Sequence, residues 1–303
     1  MPTSGAKPII KAVVPVAGMG TRLLPATKSQ PKEMLPVGRR PVVQYVVEEL
    51  EQAGIGQILF VTGRKKSAIE DHFDEDPELV RMLSGGGGYA LLDELKYTET
   101  PTRYFYTRQS VPRGLGDAID HGREFAGADH FVVALGDSII QCQDGGSFLR
   151  SMIASHVASG AVCSVAVEEV DPDDVYRYGI VSPMAGQEDA AEFDIDDLVE
   201  KPSVGSAPSN LAIAARYIFG PELFEAIGRT APDRNGEVQL TDSIKLLIQL
   251  GHKVRAVRLR KGERRYDIGN FESYFRAFID FAMRDEKYGY TVRQYLKRKA
   301  REF

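Results

Sequence analysis

Residues 13–38 read VVPVAGMGTRLLPATKSQPKEMLPVG. This stretch opens as a β-branched apolar run, which is typical of a buried strand, and it then passes Gly18 and Gly20. Glycines at such a point let backbone N–H groups approach a phosphate or a base closely. In a doubly wound α/β sheet, ligands bind beyond the carboxyl ends of the strands. The stretch therefore predicts a strand that leads into a ligand-binding loop.

Positive charge is concentrated in the same part of the chain. Residues 1–40 contain seven lysines and arginines and a single acid, Glu33, a local charge of +6 (7 − 1), whereas the whole chain carries −5. Local positive charge on an acidic protein favours a specific polyanionic ligand over general attraction to nucleic acid. Pro25, Pro31 and Pro36 prevent a long helix from starting directly after the glycines. We therefore expect an irregular cationic loop and no nucleic-acid partner.

Two common nucleotide-binding motifs do not match this loop. The sequence GMGTRL departs from GxGxxG because Leu23 stands at the position of the third glycine, and the GxxxxGK[ST] motif is missing. A dinucleotide site also needs a helix N-terminus after the glycines, which the prolines disfavour. A purely structural turn between a strand and a helix is the plain alternative.

Strand-like and helix-like segments alternate along the first half of the chain. The strand-like segments are 9–17, 57–63, 102–109 and 130–140, and the helix-like segments are 41–54, 66–73 and 116–126. The glycine-rich segment 84–95 is predicted to be a flexible surface loop, followed by a helix. The alternation predicts an α/β fold with a Rossmann-like, doubly wound sheet, mixed but mostly parallel and flanked by helices.

The length and composition fit one soluble enzyme-sized unit. With 303 residues and no visible linker, the chain is predicted to be a single domain, 1–303. No apolar run approaches the roughly 18 residues that cross a bilayer, so we expect no membrane partner. Cys142 and Cys163 suggest no disulfide framework, and residues 1–11 show no apolar core of a signal peptide. A cytoplasmic location is expected.

The pattern AGMGTRLLPATKSQPKEMLPV, at residues 17–37, resembles the signature of the sugar-1-phosphate nucleotidylyltransferases. Further matching segments follow in the order of that family: RQSVPRGLGDAI (108–119), ALGDS (134–138), YGIV (178–181), VEKP (199–202), GEVQLTDSI (236–244) and YDIGN (266–270). The family joins a nucleoside triphosphate to a sugar 1-phosphate and releases pyrophosphate. The resemblance implies Mg²⁺ as cofactor and direct in-line attack on the α-phosphorus, without a covalent enzyme intermediate.

The resemblance also implies the catalytic residues. Arg22 would contact the β- and γ-phosphates of the leaving group, and Lys32 would lie between the two substrates. Repulsion between the anionic substrates is the main obstacle to the reaction, so cations are expected to supply much of the catalysis. Asp137 and Asp267 are the expected Mg²⁺ ligands, although an aspartate beside a glycine is also a plausible turn residue. Lys28 is either an assisting cation or a solvated lysine.

The remaining site residues follow from the same resemblance. The nucleoside would contact Gln109 and Gly114, together with Ala17, Gly18, Gly20, Thr21 and Glu33. A glutamine can both donate and accept, so Gln109 is expected to pair with the N3–H and O4 edge of uracil. The sugar phosphate would contact Gly179, Glu200, Lys201, Ala214 and Ala215.

Within the family, TKSQ and PKEML look more like the branch that uses UTP and glucose 1-phosphate than like the thymidylyl branch, which uses dTTP. UDP-glucose and pyrophosphate would be the products. A non-catalytic nucleotide-sugar sensor is a further alternative, which should have lost at least one of Arg22, Lys32, Asp137 and Asp267; all four are present. The family is usually dimeric or tetrameric, so the helices within about 271–303 are candidates for contacts in a homodimer or homotetramer.

Overall fold

The computed structural model describes residues 7–142 and 147–302. The strands in this part of the chain are β1 Lys11–Pro15, β2 Pro36–Val37, β3 Arg40–Pro41, β4 Gln57–Thr62, β5 Arg103–Arg108, β6 Phe131–Ala134, β7 Ser138–Gln141, β8 Cys163–Glu169, β9 Gly179–Pro183, β10 Glu192–Glu200, β11 Leu211–Phe219, β12 Val254–Arg258 and β13 Arg264–Asp267. The α-helices are α1 Val42–Gln52, α2 Ser67–Phe73, α3 Pro77–Gly85, α4 Tyr89–Leu92, α5 Leu115–Asp120, α6 Arg123–Ala126, α7 Phe148–Ser159, α8 Glu222–Arg229, α9 Leu240–Gln249, α10 Phe271–Arg284 and α11 Gly289–Lys299. Short 3₁₀ segments lie at Thr21–Leu23, Ala26–Lys28, Lys32–Met34, Asp93–Thr98, Pro172–Arg177 and Val204–Ser206.

Nine of the strands form one sheet in the order β5-β4-β1-β6-β11-β8-β12-β10-β9. β1 pairs in parallel with β4 and β6, β4 with β5, and β8 with β12. β10 and β11 run antiparallel to their neighbours, so seven of the nine strands (9 − 2) point the same way. The predicted α/β fold with a mixed, mostly parallel sheet is confirmed.

Helices cover both faces of the sheet, because side chains of a strand alternate between its faces. Along β1, Val13 belongs to one hydrophobic cluster, whereas Ala12 and Val14 belong to the other. Helices α5, α8 and α9 contribute buried side chains to the first cluster, and α1, α2 and α7 to the second. The carboxyl ends of β1, β4 and β6 therefore meet at one edge, between two layers of helices.

A two-stranded ribbon outside this sheet brings two distant acids together. The chain leaves β6 at Ala134, turns through Asp137 and enters β7. β7 pairs antiparallel with β13, so that Ser138 lies opposite Asp267. The backbone N–H of Ile268 also donates to the carbonyl oxygen of Asp137, at 2.9 Å. The ribbon thus fixes Asp267 beside the end of β6.

Three local predictions are corrected. Segment 84–95 is largely helical rather than a loop, since α3 continues to Gly85 and α4 and a 3₁₀ segment follow. The carboxylate of Asp76 caps α3, and such a cap stabilises a helix start that composition alone does not reveal. Segment 116–126 forms two helices, α5 and α6, and segment 130–140 forms two strands, β6 and β7. The breaks between α5 and α6 and between β6 and β7 allow tertiary contacts, which the local periodicity of the sequence does not encode.

The last two helices pack on one side only. α10 contributes Ala277 to a small cluster that also contains Val37 and Tyr266, and Phe281 packs against it. α10 and α11 also carry exposed large apolar and aromatic side chains: Phe275, Phe278, Ile279, Tyr290 and Tyr295. None of the helices in the described ranges has the length and hydrophobicity needed to cross a bilayer.

Acid is expected to destabilise the fold through His156. This α7 residue is 2% exposed, and its ring contacts His130 Nδ1 and Ser164 Oγ, each at 2.8 Å. Burial, with a smaller contribution from His130, lowers the pKa of His156 from 6.5 to about 3. Because the pKa is lower in the folded state, the unfolded chain takes up the proton first. The stabilisation is therefore complete above pH 6.5 and is lost as the pH falls towards 3.

Urea unfolding at several pH values between 7 and 4 checks this expectation. One such proton changes the free energy of unfolding by at most about 1.4 kcal/mol per pH unit. The variant His156→Asn should be less stable at pH 7 but should show a shallower loss in acid. His252→Asn, in the loop after α9, is the matched control. An identical pH dependence in wild type and His156→Asn would contradict the prediction.

Candidate active site

The loop after β1 folds back in space on the run of residues 31–34. Gly20 has φ +66°, a left-handed conformation that favours glycine, and a Cβ there would lie 3.3 Å from Lys32 Cβ. Between Thr21 and Met34 the chain forms three 3₁₀ turns and no α-helix, as the prolines predict. The last of these turns starts after Pro31 and presents Lys32 to the glycine loop.

Lys32 lies at the centre of the site. Its ammonium group forms an ion pair with the carboxylate of Asp137. A Cβ built on Gly18 would lie 3.6 Å from Lys32 Nζ, so the same ammonium also faces the loop after β1. Burial alone would lower the pKa of Lys32, but the charges of Asp137, Glu33 and Asp267 outweigh burial and raise it. The side chain is therefore a fixed positive charge.

Glu33 forms a second, deeper ion pair with Lys66. The distance between Lys66 Nζ and Glu33 Oε2 is 2.7 Å, and the two side chains are 6% and 1% exposed. Burial raises the pKa of Glu33, an effect that Lys66 and Lys32 partly offset. Lys66 was not predicted from the sequence. The sequence feature that could have indicated Lys66 is the run GRKK, which directly follows the buried strand β4 beside β1.

The two predicted metal ligands are brought together. Burial raises the pKa of Asp267, and the nearby charge of Asp137 raises it further. Burial also acts on Asp137, but the ion pair with Lys32 lowers the pKa of that carboxyl overall. Two carboxylates that repel each other in a partly buried position suit a divalent cation, which neutralises both. Within residues 7–142 and 147–302 no group of three or more such side chains could hold a metal, so substrate oxygens would have to complete the coordination.

Arg22 reaches the same point from the opposite side. A Cβ built on Gly269 would lie 3.1 Å from Arg22 Nη2 and 3.1 Å from Asp267 Oδ2. The guanidinium and the carboxylate therefore converge on the turn that precedes α10. A planar guanidinium can hold two phosphate oxygens at once, which suits the predicted role of Arg22.

A large cleft of about 920 Å³, the sugar-side cleft, opens beside these residues. It is lined by seven of the predicted site residues: Arg22, Asp137, Gly179, Glu200, Lys201, Ala215 and Asp267. Glu200 Oε2 accepts a hydrogen bond from Thr241 Oγ1 at 2.7 Å, which fixes the carboxylate. Thr241 was not predicted, although it lies in the matching segment GEVQLTDSI.

Backbone strain is found at this cleft. Lys201 and Ala215 have φ +46° and +60°, which non-glycine residues rarely adopt. Such conformations cost about 1–3 kcal/mol and persist where the surrounding structure enforces them, often at functional sites. Ala214, in contrast, is fully buried in the core and does not reach the cleft surface.

A second cavity of about 500 Å³, the base-side pocket, is lined in part by residues 27–31, which directly precede Lys32. Its lining includes Ala17, Lys28, Lys66 and Gln109. Gln109 Nε2 donates to Asp117 Oδ2 at 2.7 Å and to the carbonyl oxygen of Gly114 at 3.2 Å. Both hydrogens of the amide are thus engaged, so Gln109 can offer a base only its carbonyl oxygen. The predicted pairing with both N3–H and O4 of uracil is corrected in this respect.

The other predicted nucleoside residues, Gly18, Gly20, Thr21, Glu33 and Gly114, do not line the base-side pocket themselves. Gly18 and Thr21 are exposed on the loop, and Gly20 shapes that loop. Glu33 is too deeply buried to present its carboxylate at the surface, so the structure shows it as the partner of Lys66.

Gly114 is expected to tolerate no side chain. It has φ +96°, and an added Cβ would lie only 2.6 Å from the carbonyl oxygen of Val238. We expect Gly114→Ala to lower the free energy of unfolding by about 2–4 kcal/mol, since strain and overpacking each cost roughly 1–3 kcal/mol. Gly127 also has positive φ, +63°, but nothing within 4 Å of an added Cβ, so Gly127→Ala reports strain alone. Equal losses in the two variants, measured by urea unfolding, would contradict the close contact.

Comparison with known proteins points to one family. Residues 11–284 match the family model described as nucleotidyl transferase. The UTP–glucose-1-phosphate uridylyltransferase of Bacillus subtilis is 40% identical over 93% of this chain and 94% of its own length. A UTP-bound UGPase from Acinetobacter baumannii superposes with a TM-score of 0.88 at 36% identity, covering 95% of this chain and 98% of that one. A UDP-glucose pyrophosphorylase complexed with UDP-glucose gives a TM-score of 0.81 at 35% identity, covering 91% and 100%.

The sequence signature, the sheet topology and these matches agree over nearly the whole chain. The chain belongs to the nucleotidyl transferase family and, within it, groups with the UTP–glucose-1-phosphate uridylyltransferases.

Proposed function

We propose that this protein transfers a uridylyl group from UTP to glucose 1-phosphate and produces UDP-glucose and pyrophosphate. The observation that carries the proposal is the position of Lys32, a partly buried cation whose ion-pair partner Asp137 lines the sugar-side cleft and whose neighbour Pro31 lines the base-side pocket. The names of the relatives and the ligands named for the two related structures support the choice of substrates.

The proposed reaction is a single in-line displacement. An oxygen of the sugar phosphate attacks the α-phosphorus of UTP, a new P–O bond forms, and the bond to the bridging oxygen of the β-phosphate breaks. Pyrophosphate leaves with the electron pair of that bond. Lys32 offsets the repulsion between the two anions, Arg22 holds the departing phosphates, and Lys201 holds the sugar phosphate. Such positioning and electrostatic stabilisation are the main sources of catalysis in phosphoryl-type transfers.

Mg²⁺ is the proposed cofactor, and Asp137 and Asp267 would hold it. The ion would supply positive charge at the triphosphate and complete its coordination with substrate oxygens and water. Around it, the chain's own groups orient the substrates. Glu200, fixed by Thr241, accepts hydrogen bonds from sugar hydroxyls, and Gly179 and Ala215 leave room for the sugar ring. Ala17, Gly18, Gly20 and Thr21 contribute the loop against the nucleotide.

The base is proposed to contact Gln109 and the backbone at Gly114. The amide oxygen of Gln109 accepts from the N3–H group that uracil and thymine share. A thymidylyltransferase that uses dTTP is therefore the alternative within the same site. A non-catalytic sensor is the alternative in another class, and it requires binding without turnover.

The test is pyrophosphate release from glucose 1-phosphate and Mg²⁺, with UTP, dTTP, CTP, GTP and ATP offered separately. We expect strong preference for UTP and loss of the reaction after chelation of the metal. Preference for dTTP would keep the mechanism and overturn the uridylyl assignment. UDP-glucose binding with no release from any nucleotide would instead support the sensor.

The exposed side of α10 and α11 is proposed to bind a second copy of the chain, as a homodimer or homotetramer. Phe275, Tyr290 and Tyr295 are 56%, 69% and 48% exposed on these helices, and exposed aromatic groups favour protein contacts. We expect Phe275→Ser with Tyr290→Ser to shift the mass measured by light scattering to the monomer. A wild type that is already monomeric would refute this.

A cytoplasmic location is also proposed, since UTP and glucose 1-phosphate are intracellular metabolites.

A further inference from the structure

The orientation of the Gln109 side chain is set by groups that can only accept hydrogen bonds. Gln109 follows β5, is 5% exposed, and places its amide nitrogen 2.7 Å from Asp117 Oδ2 and 3.2 Å from the carbonyl oxygen of Gly114. A carboxylate and a carbonyl have no hydrogen to donate. Turning the amide over would therefore place its oxygen against two other oxygens, with no hydrogen between them.

We propose that Asp117 is a specificity-determining positioning residue, which acts through Gln109 and restricts the pocket to bases that donate a hydrogen at the position of N3. The inference rests on the proposed function and deepens it. Uracil and thymine carry an N3–H group, whereas cytosine has an unprotonated acceptor at N3. The Gln109 oxygen is fixed towards the base-side pocket. The unprotonated N3 of cytosine then faces this oxygen, and because both atoms are acceptors no hydrogen bond forms.

Asp117 carries more of this constraint than Gly114 does. Its hydrogen bond to Gln109 is shorter and involves a charged acceptor, and such bonds are about twice as strong as neutral ones. Asp117 lies in the first turn of α5, whose start at Gly114 is held against the backbone of Val238 by a hydrogen bond from Gly116 N–H, at 2.9 Å. The carboxylate is thus placed by a packed element rather than by a free loop.

Asp117→Asn is the informative substitution. An asparagine can either accept from Gln109 or, after a flip of its own amide, donate to it. The Gln109 amide can then turn over, with only the longer contact to the Gly114 carbonyl oxygen opposing it, and offer its N–H group to cytosine. Asp120→Asn, on the same short helix, is the matched control, because Asp120 pairs at the surface with Arg123 at 2.6 Å.

Calorimetric dissociation constants for UTP, dTTP and CTP, with kcat/KM where turnover occurs, test the proposal. We expect Asp117→Asn to lower the preference for UTP over CTP by about tenfold, the usual effect of one hydrogen bond. The ratio of UTP to dTTP should stay unchanged, because both bases present N3–H. Asp120→Asn should retain both wild-type ratios.

The proposal is overturned if Asp117→Asn weakens UTP and CTP equally, which is the signature of a purely structural role, or if it leaves the preference unchanged. It is also overturned if the wild type binds CTP as well as UTP. The binding measurement does not require turnover. A wild type that prefers UTP in binding but transfers no uridylyl group would therefore refute the proposed function alone.

Discussion

Replacement of Lys32 by methionine is expected to lower kcat by about a thousandfold, the typical effect of removing one preorganised charge from an active site. Methionine keeps the length of the side chain and removes the charge. We expect kcat to fall by a larger factor than substrate binding weakens, because charge builds up between the substrates as the bond forms. Steady-state kinetics with UTP and glucose 1-phosphate give kcat and KM separately.

The fold should survive this substitution. Glu33 retains Lys66 as its partner, whereas Asp137 loses its ion-pair partner, so the variant should remain folded but unfold at a lower urea concentration than the wild type. Circular dichroism and urea unfolding check that point. Lys253→Met removes a surface lysine that pairs with Asp194 at 3.4 Å and serves as the control for loss of charge. A folded Lys32→Met enzyme with a kcat within about fivefold of the wild type would falsify the assigned role.

Lys32→Arg separates charge from shape. Arginine keeps the positive charge but spreads it over a planar fork, which cannot occupy the position of a compact ammonium group next to Asp137. We expect this variant to recover only a small part of the lost rate. Full recovery would mean that any cation at this position suffices.

The sequence alone predicts the framework of the site well, because its signals are local. The apolar run before Gly18 marks β1, and the prolines exclude an α-helix in the loop that follows. The cations of residues 1–40 indicate an anionic ligand from charge alone. Each of these conclusions depends on residues within a few positions of one another.

The rest of the site depends on pairings that the local pattern does not contain. Asp137 and Asp267 meet because β7 and β13 pair outside the main sheet, and only the family resemblance suggested it. Lys66 lies in a run that looks like a solvated loop, yet the fold buries it against Glu33. The orientation of Gln109 follows from Asp117 on the next helix. All three are tertiary effects, so a correct chemical role can be assigned while the geometry that supports it is missed.

Asp137→Asn and Asp267→Asn are both expected to reduce activity by about a hundredfold to a thousandfold, but to change stability in opposite directions. If the two carboxylates hold Mg²⁺ together, loss of either charge weakens the site, and the Mg²⁺ concentration for half-maximal rate should rise in both. The stability of the metal-free protein depends on their different surroundings. Asp137 has Lys32 as an ion-pair partner, whereas Asp267 is partly buried beside a carboxylate of like charge.

The direction of each stability change follows from the pKa of the carboxyl group that is replaced. The pKa of Asp267 is raised in the folded protein, so near neutral pH its ionised form is more stable in the unfolded chain and weakens the fold. Asparagine removes that cost, and metal-free Asp267→Asn should unfold at a higher urea concentration than the wild type. The pKa of Asp137 is lowered, so its charge stabilises the fold, and Asp137→Asn should unfold at a lower urea concentration than the wild type.

Asp120→Asn controls for the loss of an exposed carboxylate. Equal destabilisation by both site variants would show that repulsion between the acids is not what the metal relieves, whereas opposite shifts would mean that the site sacrifices stability to hold two carboxylates ready for a cation.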